Sequence, residues 1–192
     1  MALLSATKVA WLQRAVHSAL ASISTRFFAP TFRPATLRLI LALSAAEDLH
    51  LRSIDISSAF TYGDLEEDIY MFQPEGFHQG GPNKVLKLSK SLYGLKQAAR
   101  QWNKKLHSVL EGLGSKRLES DRSLYLFVRQ DVRITVPVYI DDITLASGST
   151  ALVDKVVGEL SKHFKLRDLG ETKFLLGVEV SRDHSQQERF SS

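Results

Sequence analysis

The chain has 192 residues, 44% hydrophobic and 24% charged, the usage of an ordinary globular domain with its own core rather than of a disordered chain. Lys and Arg number 25 against 21 Asp and Glu, a net charge of +4 that permits a nucleic-acid partner without demanding one. Cysteine is absent, which excludes disulfide scaffolds, cysteine zinc sites and thiol catalysis. No apolar run approaches the roughly 20 residues of a membrane helix, so a soluble intracellular chain with no membrane partner is expected.

Residues 1–46 hold five basic residues and no acid. Their first half, 1–24, is rich in Ala, Ser and Leu; it faintly resembles a transit peptide but reads more simply as a leader or plain amphipathic helix. Pro30 and Pro34 bracket a short loop, and Thr36 is an N-cap candidate for a helix over 37–48. Residues 50–56 mix apolar and polar positions over a strand length, residues 63–68 form an acidic turn, and residues 69–72 and 84–88 read as short strands.

From Ala98 to Leu113 the apolar residues Trp102, Leu106, Val109 and Leu110 recur at helical spacing. Strand-like runs follow at 123–128, 132–140 and 143–146. Leu152, Val156, Leu160 and Phe164 then mark a helix over 151–164, residues 174–180 read as a final strand, and 184–192 as a polar tail. This order fits an α+β sandwich of antiparallel sheet and covering helices, with a split βαβ of the ferredoxin-like kind as the nearest simple topology.

Tyr139-Ile140-Asp141-Asp142-Ile143 is the most informative segment. Adjacent strand residues face opposite ways, so both carboxylates serve one site only if the backbone turns sharply there. Burying the pair without a counter-charge is costly, which favours a bound cation or an open cleft; a tight turn with two solvated aspartates fits the same dipeptide. Asp55, between Ile54 and Ile56, is a third carboxylate within a strand and equally suits a solvent-facing edge. Three carboxylates on neighbouring strands would suit hard divalent ions such as Mg²⁺. Residues 84–106 add seven basic residues and no acid, with Tyr93 and Trp102 interleaved. That pattern suits a nucleic-acid backbone and stacked bases, or a solvated helix face.

Several stretches in one collinear series carry a resemblance. They are Ile54-Asp55-Ile56-Ser57-Ser58-Ala59-Phe60, Gly63-Asp64-Leu65-Glu66-Glu67 and Gln73-Pro74-Glu75-Gly76-Phe77, then Ser91-Leu92-Tyr93-Gly94-Leu95-Lys96-Gln97-Ala98-Ala99-Arg100-Gln101-Trp102. Tyr139-Ile140-Asp141-Asp142, Asp168-Leu169-Gly170-Glu171 and Phe174-Leu175-Leu176-Gly177-Val178-Glu179-Val180 complete it. Together, over residues 25–183, they resemble the copia-type (Ty1/copia) retrotransposon reverse transcriptases.

The resemblance implies a polymerase palm with part of the fingers over 25–183, and RNA-directed DNA synthesis by nucleotidyl transfer to a primer 3′-hydroxyl. By position it makes Asp55, Asp141 and Asp142 the catalytic and metal-binding carboxylates for two Mg²⁺ ions, with Mn²⁺ as substitute. It puts Phe60, Gly94 and Gln97 beside the incoming dNTP, Phe60 as the bulky residue that rejects a ribose 2′-hydroxyl. Lys96, Arg100, Trp102, Leu176 and Gly177 fall against the primer and an RNA or DNA template. The family's Lys-x-Arg fingers strand has no counterpart in 1–24, and no thumb follows Val180. The expectation is therefore a partial domain of a retroelement polyprotein, inactive alone; the alternative is a non-catalytic nucleic-acid-binding remnant or a decayed fragment. Pro137 stands out within a presumed sheet strand, where proline forfeits a ladder hydrogen bond.

Overall fold

The computed structural model describes residues 29–81, 84–129 and 131–181, and the backbone of Leu3–Ser5. The expected tail at 184–192, and the leader at 1–24 apart from that short backbone stretch, lie outside the described residues.

The centre is a six-stranded sheet in the order β5-β6-β7-β8-β2-β9, in which every neighbouring pair is antiparallel. Its strands are β2 (His50–Ile56), β5 (Lys116–Arg117), β6 (Leu124–Arg129), β7 (Val132–Tyr139), β8 (Asp142–Ser147) and β9 (Leu166–Glu171). A three-stranded sheet, β1-β4-β3, pairs β1 (Leu3–Ser5) and β3 (Tyr70–Phe72) on either side of β4 (Lys84–Lys87). The chain is thus α+β with a mostly antiparallel sheet.

Alternation along β2 and β8 divides the central sheet into two faces. Ile54, Ile56, Ile143 and Leu145 point to one face, where they form the main core with α2 (Ala98–Gly112) and α3 (Thr150–Ser161). α2 buries Trp102, Leu106 and Leu110, four residues apart on one stripe, and α3 buries Leu152, Val153, Val156, Val157 and Leu160. Burying each such side chain is worth about 1.5–3 kcal/mol, so these two stripes hold the domain together. Leu51 and Ala146 point to the opposite face, against Ile40 of α1 (Pro34–Ala46).

Helix α1 starts earlier than the sequence suggests. Pro34 occupies its first turn, where a missing N–H and fixed φ are tolerated. Thr36 does not cap it; its hydroxyl donates instead to Asp121, which also accepts from the Arg33 N–H. The strands β5 and β9 give little hydropathic signal, one being two residues long and the other largely exposed. Residues 174–180 are not one strand but a hairpin of β10 (Phe174–Leu175) and β11 (Val178–Glu179). Leu176 and Gly177 both take positive φ at its two-residue turn, the conformation that matches strand twist.

Pro137 lies on β7 in the middle of the sheet, not at an edge. The next N–H, of Val138, bonds Ser123 on the β6 side, so the Pro137 nitrogen faces β8. There the β7–β8 ladder pairs Thr135 with Ala146 and resumes at Val138 with Ile143, keeping its register across the gap. Among the described residues, no helix is long and apolar enough to cross a membrane.

Candidate active site

Strand β2 ends near Asp55 and β8 begins at Asp142, and the two are direct partners in the ladder. Cross-strand partners share a face, so Asp55 and Asp142 point away from α2 and α3. Tyr139 pairs with Asp142, leaving Ile140-Asp141 as a two-residue turn. This is the sharp reversal that lets Asp141 and Asp142 flank one site.

The turn is strained. Ile140 has φ +58, a left-handed conformation that is rare for a β-branched residue and is normally supplied by glycine at this hairpin position. Such a residue costs on the order of 1–3 kcal/mol and persists only where the surroundings hold it. Two hydrogen bonds do so. The Trp102 indole N–H donates to the Ile140 carbonyl at 2.7 Å, and the Ile56 N–H donates to the Asp141 carbonyl at 3.1 Å.

Asp55 and Asp141 are half-buried and Asp142 is exposed. Protein packed near the Asp142 carboxyl, and then the charges of Asp141 and Asp55, raise its pKa above the ordinary carboxylate value. Among the described residues, no three His, Cys, Asp or Glu side chains are arranged to hold a metal ion. The carboxylates therefore share a corner of the sheet without closing into a cage.

Phe60 follows β2 on a 3₁₀ turn (Ala59–Tyr62), and its ring packs on Tyr93 with centroids 4.4 Å apart. Tyr93 is 58% exposed. Partial burial first, and then the negative charges of Asp141 and Asp55, push its hydroxyl pKa up. Composition alone registers Tyr93 only as an aromatic within a basic strip; its position one residue before Gly94 was the available signal. Gly94 has φ +93 with open space where a side chain would be, Lys96 is exposed, Gln97 stands at the N-cap of α2, and Arg100 lies in its first turn.

A profile of the family described as "Reverse transcriptase (RNA-dependent DNA polymerase)" matches residues 10–189. The chain belongs to that family. It is 39% identical over 168 residues to a "Retrovirus-related Pol polyprotein from transposon TNT 1-94" of Nicotiana tabacum, covering 86% of this chain and 13% of the relative. It is 35% identical over 156 residues to the Pol polyprotein from transposon RE1 of Arabidopsis thaliana, covering 81% and 11%. A putative transposon Ty5-1 protein of Saccharomyces cerevisiae is 35% identical over 128 residues, covering 66% and 42%. These are copia-type elements, so the chain is a partial copia-type reverse transcriptase domain spanning a small part of the polyproteins it matches. No solved structure matches it.

The structure of this reverse transcriptase domain departs from the sequence expectation at Trp102. The side chain is 1% exposed, with ring centroids 5.1 Å from Phe164 and 6.1 Å from Tyr62, so it supports the turn from within the core and offers no face to a nucleic acid. The basic strip is also less free than its composition suggests. Lys87, Lys90 and Lys104 form ion pairs with Asp68, Asp64 and Glu66 of the acidic turn. Leu176 and Gly177 are exposed at the tip of the β10–β11 hairpin, whose Leu175 packs with Phe32 and Leu37 in a cluster that also touches Tyr139. That contact puts the hairpin beside the carboxylate turn.

Proposed function

We propose that this domain supplies the polymerase centre for RNA-directed DNA synthesis, extending a primer 3′-hydroxyl by nucleotidyl transfer. The observation that carries the proposal is the pairing of Asp55 with Asp142 across a strained turn bearing Asp141. The strand order β9-β2-β8-β7, with α2 and α3 as crossovers on one face, is that of a ferredoxin-like βαββαβ unit. It supports reading the central sheet as a palm, with β3 and β4 left as part of the fingers.

The donor set fits a hard divalent cation, since it consists of carboxylate oxygens whose mutual repulsion a cation relieves. Mg²⁺ commonly takes only one or two protein carboxylates, leaving its other positions to phosphate and water. Asp55 and Asp141 would hold two Mg²⁺ ions, or Mn²⁺, with Asp142 beside them. Bound there, the ions would activate the 3′-hydroxyl and neutralise charge on the attacked phosphate and the leaving pyrophosphate.

The chain's other residues orient the reactants. Phe60, backed by Tyr93, presents a bulky ring that would exclude a ribose 2′-hydroxyl. Gly94 lets a nucleotide approach the backbone closely. Arg100 in the first turn of α2, with the exposed Lys96 just before the helix, would favour phosphate by charge. The Leu176-Gly177 tip, beside Tyr139, lies on the side where a primer end would meet the carboxylates.

The test is extension of a DNA primer on an RNA template by the purified chain with dNTPs and Mg²⁺ or Mn²⁺. Extension that disappears in Asp141→Asn, which removes one charge with little change of shape, supports the proposal. A folded wild-type chain that binds primer-template without extending it would reassign this polypeptide as a nucleic-acid-binding remnant.

A further inference from the structure

We infer that Trp102 is a positioning residue for the carboxylate turn, acting through the backbone of Ile140 and never touching substrate. The inference rests on the proposed polymerase centre for its catalytic consequence, but not for its structural basis. Trp102 combines three features. It is 1% exposed; its sole side-chain polar atom, the indole N–H, is spent on the Ile140 carbonyl at 2.7 Å; and Ile140 is the residue forced to φ +58. A two-residue turn tolerates that φ most readily in glycine, so the isoleucine here needs an outside constraint.

The indole is in turn fixed by its neighbours. Phe164, just beyond α3, meets it edge-on, and Tyr62 packs 6.1 Å away. Tyr62 accepts a hydrogen bond from the Lys165 N–H through its hydroxyl, and the Lys165 carbonyl accepts one from the Ser57 N–H. Ser57 lies two residues beyond Asp55. The aromatic group thus joins both halves of the carboxylate site: the Ile140-Asp141 turn through the indole N–H, and the segment after Asp55 through Tyr62 and Lys165. Trp102 also lies on α2, five residues beyond Gln97 and two beyond Arg100, so it ties the start of that helix to the same turn.

Removing the indole N–H would leave the Ile140 carbonyl unpaired and free the turn to relax from its left-handed conformation. Carboxylates displaced by a fraction of an ångström to 1 Å would lower the rate of the chemical step far more than they weaken nucleotide binding.

The experiment compares Trp102→Phe, Ile140→Gly and the double variant in the full chain. Trp102→Phe keeps an apolar ring and loses the N–H. The expected result is a fall in kcat for primer extension of roughly tenfold to a hundredfold, with KM for dNTP nearly unchanged. In the Ile140→Gly background, where the turn accepts positive φ without help, the further effect of Trp102→Phe should shrink to about twofold or less. An equal loss in both backgrounds, or an unchanged kcat, overturns the inference, because a general packing role would not depend on residue 140.

A second readout needs no activity. The ¹³Cα and ¹³Cβ shifts of Ile140 should leave their left-handed values in Trp102→Phe while the rest of the spectrum stays folded. Unchanged Ile140 shifts overturn the inference. If wild type extends no primer, the polymerase proposal fails and these shifts alone decide the role of Trp102. Should Trp102→Phe not fold, 3-benzothienylalanine at position 102 deletes only the N–H at almost constant volume, and the same shifts are read.

Discussion

Asp55 and Asp142 stand directly opposite each other at the end of the β2–β8 ladder, a like-charge pair that a sheet ordinarily avoids. Protein packed close to it, and then the charges of Asp141 and Asp55, hold the Asp142 carboxyl above its ordinary pKa. The ionised form is therefore worse off folded than unfolded. The fold is relieved of this burial and repulsion cost below the unfolded pKa, and loses that relief as pH rises through the folded value. Asp142→Asn should accordingly raise the melting temperature at neutral pH without divalent ions, and make little difference near pH 3. Added Mg²⁺ should stabilise wild type more than the variant. Thermal unfolding with and without Mg²⁺ checks this; a destabilised variant at neutral pH would contradict it.

Asp121 anchors α1 from outside the helix. Burial alone would raise its pKa, but hydrogen bonds from the Ser123 and Thr36 hydroxyls and from the Ser123 and Arg33 N–H groups outweigh burial and hold it below the usual value. A depressed carboxylate stabilises fully above its unfolded pKa and loses the contribution as pH falls through the lower folded value. Asp121→Ala should destabilise the chain by about 1–3 kcal/mol at pH 7, since it strands the buried Ser123 donors and the part-buried Thr36 hydroxyl. The gap from wild type should narrow only in strong acid. Urea unfolding at pH 7 and at pH 3 measures both.

The aspartates at 55, 141 and 142 were legible in the sequence because carboxylates flanked by β-branched residues violate the usual strand pattern. Most of the strands and the α2 stripe were legible from period alone. The strain at Ile140 was not, because no glycine marks the turn; its support comes from Trp102, 38 residues away. Residues 174–180 read as one strand because nothing in the sequence marks Leu176, at φ +49, as different from a strand leucine. Thr36 looked like an N-cap because its true partner, Asp121, lies 85 residues further on. For Ile140 and Thr36 the missing information was a tertiary contact, which local spacing does not encode; for the hairpin it was a backbone conformation that leucine does not signal.

Gly63 is required for space rather than for backbone freedom, its φ being an ordinary −70. A Cβ there would sit 2.9 Å from the Gln101 Cβ and 3.0 Å from the Gln101 carbonyl carbon and the Trp102 nitrogen. Two of those atoms belong to the α2 backbone and cannot turn aside. Gly63→Ala should destabilise by about 1–3 kcal/mol, the overpacking cost outweighing the gain from a stiffer unfolded chain. Because α2 carries Trp102, the same change should also shift the Ile140 resonances. Denaturant titration and a carbon–proton spectrum test the two parts; an unaltered midpoint would show that α2 gives way freely.

Asp64, Glu66 and Asp68 form ion pairs with Lys90, Lys104 and Lys87 of the basic strip. Lys90 and Lys104 hold the Asp64 and Glu66 carboxyls below their ordinary pKa, first by hydrogen bonding and then by charge. All three pairs are substantially solvent-exposed, so they add little to stability and yield readily to a competing phosphate. Changing all three acids to amides should leave the melting temperature nearly unchanged, because nothing buried is disturbed. It should tighten binding of a single-stranded oligonucleotide at low salt and steepen the fall of affinity with salt, as more lysines become free to displace counterions. Fluorescence anisotropy across a salt series reads both the affinity and the slope. Equal affinity and slope for variant and wild type would mean that this strip lies outside the path of the nucleic acid.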